Sequence, residues 1–115
     1  MTGIAGIAAP GRDADLQRML SAMASRGRGP HRVWEVEGVT LGIVPETTEE
    51  PWPHGPTQVR DETGPERYVR VRAREGQFHY ERDSYGVAPL YLGKTPDGYA
   101  CFASTIRALR QAGVR

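Results

Sequence analysis

The sequence has one cysteine and no long apolar run, and each scarcity excludes a class of protein. The single cysteine, Cys101, rules out an internal disulfide and favours a reducing compartment. A membrane-spanning helix needs roughly 20 consecutive apolar residues, and no segment approaches that length. The first residues also lack the charged start and long apolar core of a secretory signal. We therefore expect a cytoplasmic protein with no membrane partner.

Neither sign of charge is in excess. The chain carries 15 lysines and arginines against 14 aspartates and glutamates, a formal net charge of +1. This balance gives no reason to expect nucleic acid as a partner. The length of 115 residues and the 38% hydrophobic content predict a single globular domain over residues 1–115. We expect neither a metal ion nor a cofactor.

The first part of the chain predicts a strand, a helix and a hairpin. Thr2–Ala8 is apolar with two glycines, as in a short buried strand. Asp13 is a good N-cap for a helix near residues 13–25, in which apolar residues recur at helical spacing: Leu16, Met19, Leu20 and Met23. Glu37-Gly38 separates two alternating segments and predicts a hairpin turn.

The second part predicts a loop, several strands and a second helix. Residues 45–65 are rich in proline and poor in apolar residues, which is typical of a functional or disordered loop. Tyr68–Arg74 alternates strictly, with arginines on one face, and predicts an exposed-face or edge strand. A half-buried strand over Gln77–Glu81 follows. Further strands are expected around Leu90–Leu92 and Tyr99–Phe102, and a helix near 104–112 capped by Ser104 or Thr105. The order predicts a mostly antiparallel α+β fold.

Three local features allow more than one interpretation. The basic glycine-rich segment Arg26–Arg32 can bind a phosphate or carboxylate, or remain a solvated loop. Arg82 and Asp83 flank a predicted turn, where a buried ion pair at the corner of a β-turn-β unit would hold the sheet. Cys101 lies in a predicted strand and is expected to be buried and inert.

The segment from Arg82 to Tyr91 has the pattern Arg-Asp-x-x-Gly-x-x-Pro-Leu-Tyr. This pattern resembles a signature of asparagine synthetase-type class II glutamine amidotransferase domains. Three more fragments occur in the order of that family and are similar to its Cys-Gly-Ile-x-Gly start, its Arg-Gly-Pro loop and its Ala-Ser-Glu-x-Lys-Ala-Leu segment: Gly3–Ile7, Arg28–Pro30 and Phe102–Leu109. The resemblance spans residues 3 to 109.

The resemblance implies a reduced αββα sandwich of the N-terminal-nucleophile (Ntn) hydrolase type, with two sheets between helix layers. In active members the N-terminal cysteine attacks the glutamine amide, and its own α-amine acts as the base. Thr2 stands at the position of that cysteine. The residues that the matched motifs imply for binding are Arg28, Gly29, Pro30, Arg82, Asp83 and Gly86.

The chain departs from the family in its middle. Family members carry a glutamine-binding arginine, an Asn-Gly oxyanion segment and a substrate-binding aspartate there, whereas this chain contains no asparagine and has the Pro-rich segment 45–65 instead. Oxyanion stabilisation is usually the largest single catalytic contribution. His31 stands where the family has aspartate, and Thr105 where it has glutamate.

These departures predict a degenerate amidotransferase-like domain without glutaminase activity. The resemblance extends to lactam-forming relatives, such as β-lactam synthetases and lasso-peptide macrolactam cyclases, in which such a domain packs against an ATP-using synthetase domain. This chain has no Ser-Gly-Gly-x-Asp-Ser motif, so the expected partner is a separate asparagine synthetase-like protein. Two alternatives remain: an Ntn hydrolase using Thr2, and a small module that binds an amino acid or peptide.

The C-terminal segment is the expected place for that partner. In two-domain relatives the chain passes from this segment into the synthetase domain. We therefore expect Leu109, Val114 and the neighbouring arginines to lie beside a partner surface, together with exposed apolar residues such as Trp52. The alternative is that the last helix closes the core of the domain itself.

Overall fold

The computed structural model describes residues 3–26, 30–45, 58–64, 67–82 and 90–114. The strands in these ranges are β1 Gly3–Ile7, β2 Arg32–Val36, β3 Val39–Val44, β4 Gln58–Gly64, β5 Arg67–Arg74, β6 Gln77–Arg82, β7 Tyr91–Lys94 and β8 Ala100–Ala103. The helices are α1 Asp13–Ser21 and α2 Ile106–Gln111, and a 3₁₀ turn follows α1 at Ala24–Arg26. No described helix has the length and apolar character needed to cross a bilayer. The predicted mostly antiparallel α+β class is confirmed.

The strands form two antiparallel sheets. The first sheet has five strands in the order β2-β3-β1-β8-β7, so the N-terminal strand lies at its centre. The second sheet has three strands in the order β4-β5-β6. All pairings in both sheets are antiparallel.

The five-stranded sheet is covered differently on its two faces. One face carries small residues, so the helices lie close to it: a side-chain carbon on Gly42 would come within 3.0 Å of Leu16 and Leu20 of α1. This face and the helices form one apolar cluster, which includes Ala5, Ile7 and Ala103. Alternation along the strands sends the next residues to the other face.

The opposite face packs against the three-stranded sheet. Ile4, Leu41 and Phe102 from the first sheet meet Val59 and Val71 from the second in a second apolar cluster. Phe78 of β6 lies edge-on to Phe102, with ring centroids 4.9 Å apart. The described layers are therefore helices, five-stranded sheet and three-stranded sheet. In the described part of the chain no helix covers the outer face of the second sheet.

Several predicted elements are confirmed. β1 lies within the predicted strand 2–8, and the Glu37-Gly38 turn joins β2 to β3, with positive φ values of 52° and 79°. Thr105 is the N-cap of α2, because its side chain accepts a hydrogen bond of 3.1 Å from the Ala108 amide. Gly113 ends this helix with a φ of 87°.

The first helix is shorter than predicted. It ends at Ser21 rather than near residue 25, and the next turn is of the 3₁₀ type, as is common at helix ends. Its N-cap is Arg12, while Asp13 lies in the first turn. There the aspartate still interacts favourably with the positive end of the helix dipole.

The predicted loop over residues 45–65 is wrong in part. Gln58–Gly64 forms strand β4, which pairs with β5 and buries Val59 between the sheets. This polar segment has little strand signal of its own, and pairing with β5 supplies its backbone hydrogen bonds. Residues 46–57 and 65, and with them Trp52, lie outside the described residues.

The expected β-turn-β unit around Arg82 is also corrected. β6 and β7 belong to different sheets, so the chain between them passes from one layer to the other. Arg82 is exposed, so the prediction that it is buried in an ion pair with Asp83 is wrong. Most of β6 is exposed because it is the outermost strand of its sheet, with only Phe78 half-buried. β5 is the central strand, and its arginines lie on the exposed face rather than on an edge.

Candidate functional site

Gly3, Tyr91 and Ala103, each from a fragment that resembles the amidotransferase family, lie at the same end of the five-stranded sheet, and Pro30 of the remaining fragment precedes β2 at that end. We call this the N-end: β1, β2 and β7 begin there, and β3 and β8 end there. The register shows it, since Gly3 pairs with Val44, Arg32 with Ile43, and Tyr91 with Ala103. With neighbouring strands about 4.8 Å apart, β2 and β7 each lie about 10 Å from β1. The starts of β1 and β7 are thus separated by one strand, β8, whereas β2 lies at the opposite edge of the sheet from β7.

Ser104 ties the start of β1 to the end of β8. Its buried hydroxyl accepts a hydrogen bond of 3.0 Å from the Ile4 amide, and its own amide donates to the Ile4 carbonyl at 3.0 Å. Thr105, the next residue, caps α2. The Ala-Ser segment that resembles the family motif therefore fixes the position at which the chain enters β1. Sequence reasoning considered Ser104 only as a helix cap and missed this role.

The two sheets are joined at the end opposite the N-end. The Glu37-Gly38 turn of the first sheet meets the Glu75-Gly76 turn of the second, and the Gly76 amide donates to the Glu37 carbonyl at 2.6 Å. Both turns have positive φ at both central residues, the geometry that two-residue hairpins favour. This contact closes the sandwich at one end.

A cleft lies between the sheets on the side where β6 and β7 are neighbours. Its volume is about 270 Å³, and it is lined by Val69, Tyr80, Glu81, Arg82, Leu90 and Leu92. The ring of Tyr80 lies edge-on to Phe102 at 6.2 Å, and burial raises the pKa of its hydroxyl. An apolar cleft with a few polar groups is the usual form of a small-molecule site. Tyr80 was not predicted as a site residue, since a lone tyrosine in a strand carries no signal of its own.

Most of the residues predicted for the site lie outside the described ranges. Thr2, Arg28, Gly29, Asp83 and Gly86 belong to this group. Of the other two, Pro30 is exposed before β2 at the N-end. Arg82 is exposed at the rim of the cleft. The structure therefore brings Arg82 next to the cleft and leaves Pro30 at the far edge of the sheet.

The predicted surface at the C-terminus is corrected in part. Leu109 is buried in the helix-side cluster, and Val114 packs against that cluster. A side-chain carbon on Gly93 would come within 2.8 Å of Val114. Both residues therefore close the core, as the alternative interpretation expected. The outer side of α2 remains accessible, with Ile106 48% exposed beside Arg107 and Arg110.

A polar cluster holds the end of the molecule opposite the N-end. Arg12 pairs with Asp97 and lies over the Tyr99 ring, 5.3 Å from its centroid. The pKa of Asp97 is lowered by the hydrogen bond from the Thr95 hydroxyl and by Arg12. Thr95 also accepts a hydrogen bond of 3.0 Å from the Tyr99 amide. Each group has a structural partner, so the cluster stabilises the β7–β8 turn against α1.

The described residues offer little for catalysis. Cys101 is buried on the helix side of β8, and burial raises the pKa of its thiol to about 11, so it is protonated and inert as predicted. In the described ranges, no group of three or more His, Cys, Asp or Glu side chains is placed to hold a metal ion. Comparison of the chain with protein-family models, with curated proteins and with solved structures finds no match.

Proposed function

We propose that this chain is a degenerate glutamine amidotransferase-like domain without glutaminase activity, which serves as the accessory subunit of a separate ATP-dependent asparagine synthetase-like enzyme. The observation that carries the proposal is that Gly3, Pro30, Tyr91 and Ala103, the described residues of the four family-like fragments, lie at the N-end of one sheet. In an Ntn hydrolase the reacting residue stands immediately before the first strand, and Gly3 begins the central strand here.

The layer order also supports the proposal. Two antiparallel sheets face each other, and helices cover one of them, which agrees with three layers of a reduced αββα sandwich. The N-terminal strand is the middle strand of its sheet, where its start is held by neighbours on both sides. Ser104 fixes that start through buried hydrogen bonds.

Two features favour loss of the glutaminase reaction. Thr2 replaces the cysteine, and a hydroxyl is a weaker nucleophile than a thiol at neutral pH because its pKa is far higher. The chain also lacks any asparagine to complete an oxyanion site. The one thiol in the chain, that of Cys101, is protonated and lies between the sheet and the helices.

A glutaminase assay tests the loss of activity. Purified protein with Met1 removed is expected to release no more ammonia from glutamine than its Thr2→Ala variant. Mass spectrometry verifies the removal of Met1 in both samples. Ammonia release by the parent protein that the variant lacks would instead support the alternative, a hydrolase with Thr2 as nucleophile.

Complex formation tests the accessory role. The chain is co-expressed with a neighbouring asparagine synthetase-like protein that lacks its own N-terminal domain, and the mixture is analysed by gel filtration. We expect co-elution, with contact through the outer side of α2, where exposed Ile106 lies between arginines. An Ile106→Glu variant should weaken the complex at unchanged melting temperature, because this side chain is not part of the core.

The matched control for this experiment is Ala14→Glu. Ala14 is an exposed apolar residue of α1, and an acidic residue in the first turn is compatible with the helix. This variant should co-elute like the parent chain. If the parent chain elutes alone, the accessory role is wrong, and if both variants weaken the complex equally, α2 is not the contact.

The cleft beside Tyr80 favours a second candidate function, a module that binds an amino acid or short peptide. The cleft combines apolar walls with Arg82 and Glu81 at its rim, which suits a ligand bearing both an apolar part and a charge. Nuclear magnetic resonance titration with glutamine and with hydrophobic amino acids tests this. Saturable shifts confined to Tyr80 and Leu92 would support it, and their absence would leave the accessory role as the sole proposal.

A further inference from the structure

The outward face of the three-stranded sheet concentrates positive charge. Alternation places Val59, Val69, Val71 and Ala73 inside, because all four are buried. The residues between them therefore point outward. We call this surface the arginine face. Its described charged side chains are Arg60, Arg70, Arg72, Arg74 and Glu81, and His79 lies on the same face.

The cross-strand pairs on the arginine face include like charges. Arg60 is directly opposite Arg70. Like charges in directly opposed positions destabilise a sheet. Both arginines of this pair have stabilising partners. The Arg70 Nε donates to Glu81 at 2.7 Å, and the Arg60 guanidinium lies 4.2 Å from the centroid of the Tyr68 ring.

The positive charges of Arg72 and Arg74 are less well neutralised. Arg72 donates from its Nε to the neutral Gln58 side chain at 3.2 Å, which orients the guanidinium without cancelling its charge. Arg74 and His79 are exposed and have no charged partner among the described residues. Glu81 is the single carboxylate among the described side chains of this face, and Arg70 already occupies it. The charge of Arg72 is therefore accessible and is held in position by a neutral partner.

We propose that the arginine face is the docking surface for an acidic polypeptide segment. Arginines at alternate positions of one strand repeat about every 6.8 Å, which is also the repeat of alternate side chains in an extended peptide. Carboxylates accept paired hydrogen bonds from guanidinium groups, so an acidic strand laid on this face matches both charge and spacing.

The geometry favours an acidic polypeptide over nucleic acid. Single-stranded nucleic acid needs exposed aromatic rings on which bases stack. Tyr68 is the one aromatic residue among the described outward side chains, and Arg60 covers its ring. This proposal is independent of the amidotransferase-like function, because it concerns a different face of the molecule.

A fluorescence anisotropy titration tests the proposal. The probe is a labelled peptide of about 12 residues that alternates glutamate and threonine, a length that spans a strand and its ends. We expect saturable binding at low salt that weakens as salt is raised. An R72Q/R74Q variant should bind at least about tenfold more weakly, because charge-assisted hydrogen bonds contribute about 1.5–3 kcal/mol each.

Two further variants distinguish binding at the arginine face from general electrostatic attraction. An R18Q/K94Q variant removes the same charge from outside the face and should change the affinity less than about twofold. An E81Q variant removes the carboxylate that occupies Arg70 and should tighten binding. Equal losses in the two charge-matched pairs, no binding by the parent chain, or tighter binding of an oligothymidine of equal length would each overturn the proposal.

Discussion

At the scale of single residues, burial rather than chemical identity decides what each group can do. Cys101 is the sole cysteine, yet it lies between the sheet and the helices, where its thiol stays protonated. Ser104 is a small polar residue whose buried hydroxyl holds the start of the central strand. Arg82 carries the charge that the sequence pattern singled out, but it is solvated.

The pKa of Cys101 predicts a specific loss of stability in alkaline solution. Burial raises the pKa of this thiol from its ordinary value of 9.0 to about 11, so the folded state holds its proton over that interval while the unfolded state loses it. Stability from this group is complete below the unfolded pKa and is lost as the pH rises through 11. We expect an extra loss of about 2–3 kcal/mol across this range, measured by urea unfolding at stepped pH.

A Cys101→Ala variant provides the comparison. Its unfolding free energy should fall less steeply with pH than that of the parent chain, whatever its absolute stability. Tyr80 also titrates above its usual pKa, and it is present in both proteins. Parallel curves for the two proteins would contradict the assigned cause.

At the scale of elements, the central strand β1 depends on residues that have almost no side chain. Gly6 faces the second sheet, and a side-chain carbon there would lie 2.4 Å from the Phe102 ring and 3.0 Å from the Phe78 ring. Gly3 faces the helices, where the same addition would meet Met23 at 3.3 Å. Two glycines of one strand thus serve two different interfaces.

Substitution of Gly6 should therefore be costly. Gly6→Ala forces an aromatic side chain to move in a packed core, and we expect a loss of about 1–3 kcal/mol in the free energy of unfolding. Gly3→Ala is the matched control and should cost less, because methionine adapts its shape readily. Chemical denaturation of both variants measures the difference.

A second variant tests the mechanism of that loss. In a Phe102→Leu background the crowding is relieved, so Gly6→Ala should cost less there than in the parent chain. Equal costs in both backgrounds would show that the ring of Phe102 is not what excludes the methyl group.

At the scale of the whole molecule, the sandwich is closed at the end opposite the N-end. The two Glu-Gly turns meet at the closed end through the Gly76–Glu37 hydrogen bond. The N-end gathers the starts of three strands. The outer faces differ as well, since helices cover one sheet, while the other presents its arginines to solvent. Each proposed partner therefore has a separate surface.

Local sequence patterns were sufficient to predict the features that depend on residues close together in the chain. The apolar run of β1, the Glu37-Gly38 turn, the Thr105 cap and the burial of Cys101 all follow from neighbours within a few residues. Each of these depends on intrinsic backbone preference or on side-chain periodicity, which a sequence displays directly.

Tertiary structure alone decided the features that depend on distant partners. β4 is a strand because β5 pairs with it, although Gln58–Gly64 has little apolar content. β6 and β7 are successive strands that enter different sheets, and Arg82 is exposed as a consequence. Strand pairing is a long-range choice made by packing and by the hydrogen bonds of the partner strand. For the same reason, the sequence alone does not show that Gly3, Tyr91 and Ala103 lie at one end of the same sheet.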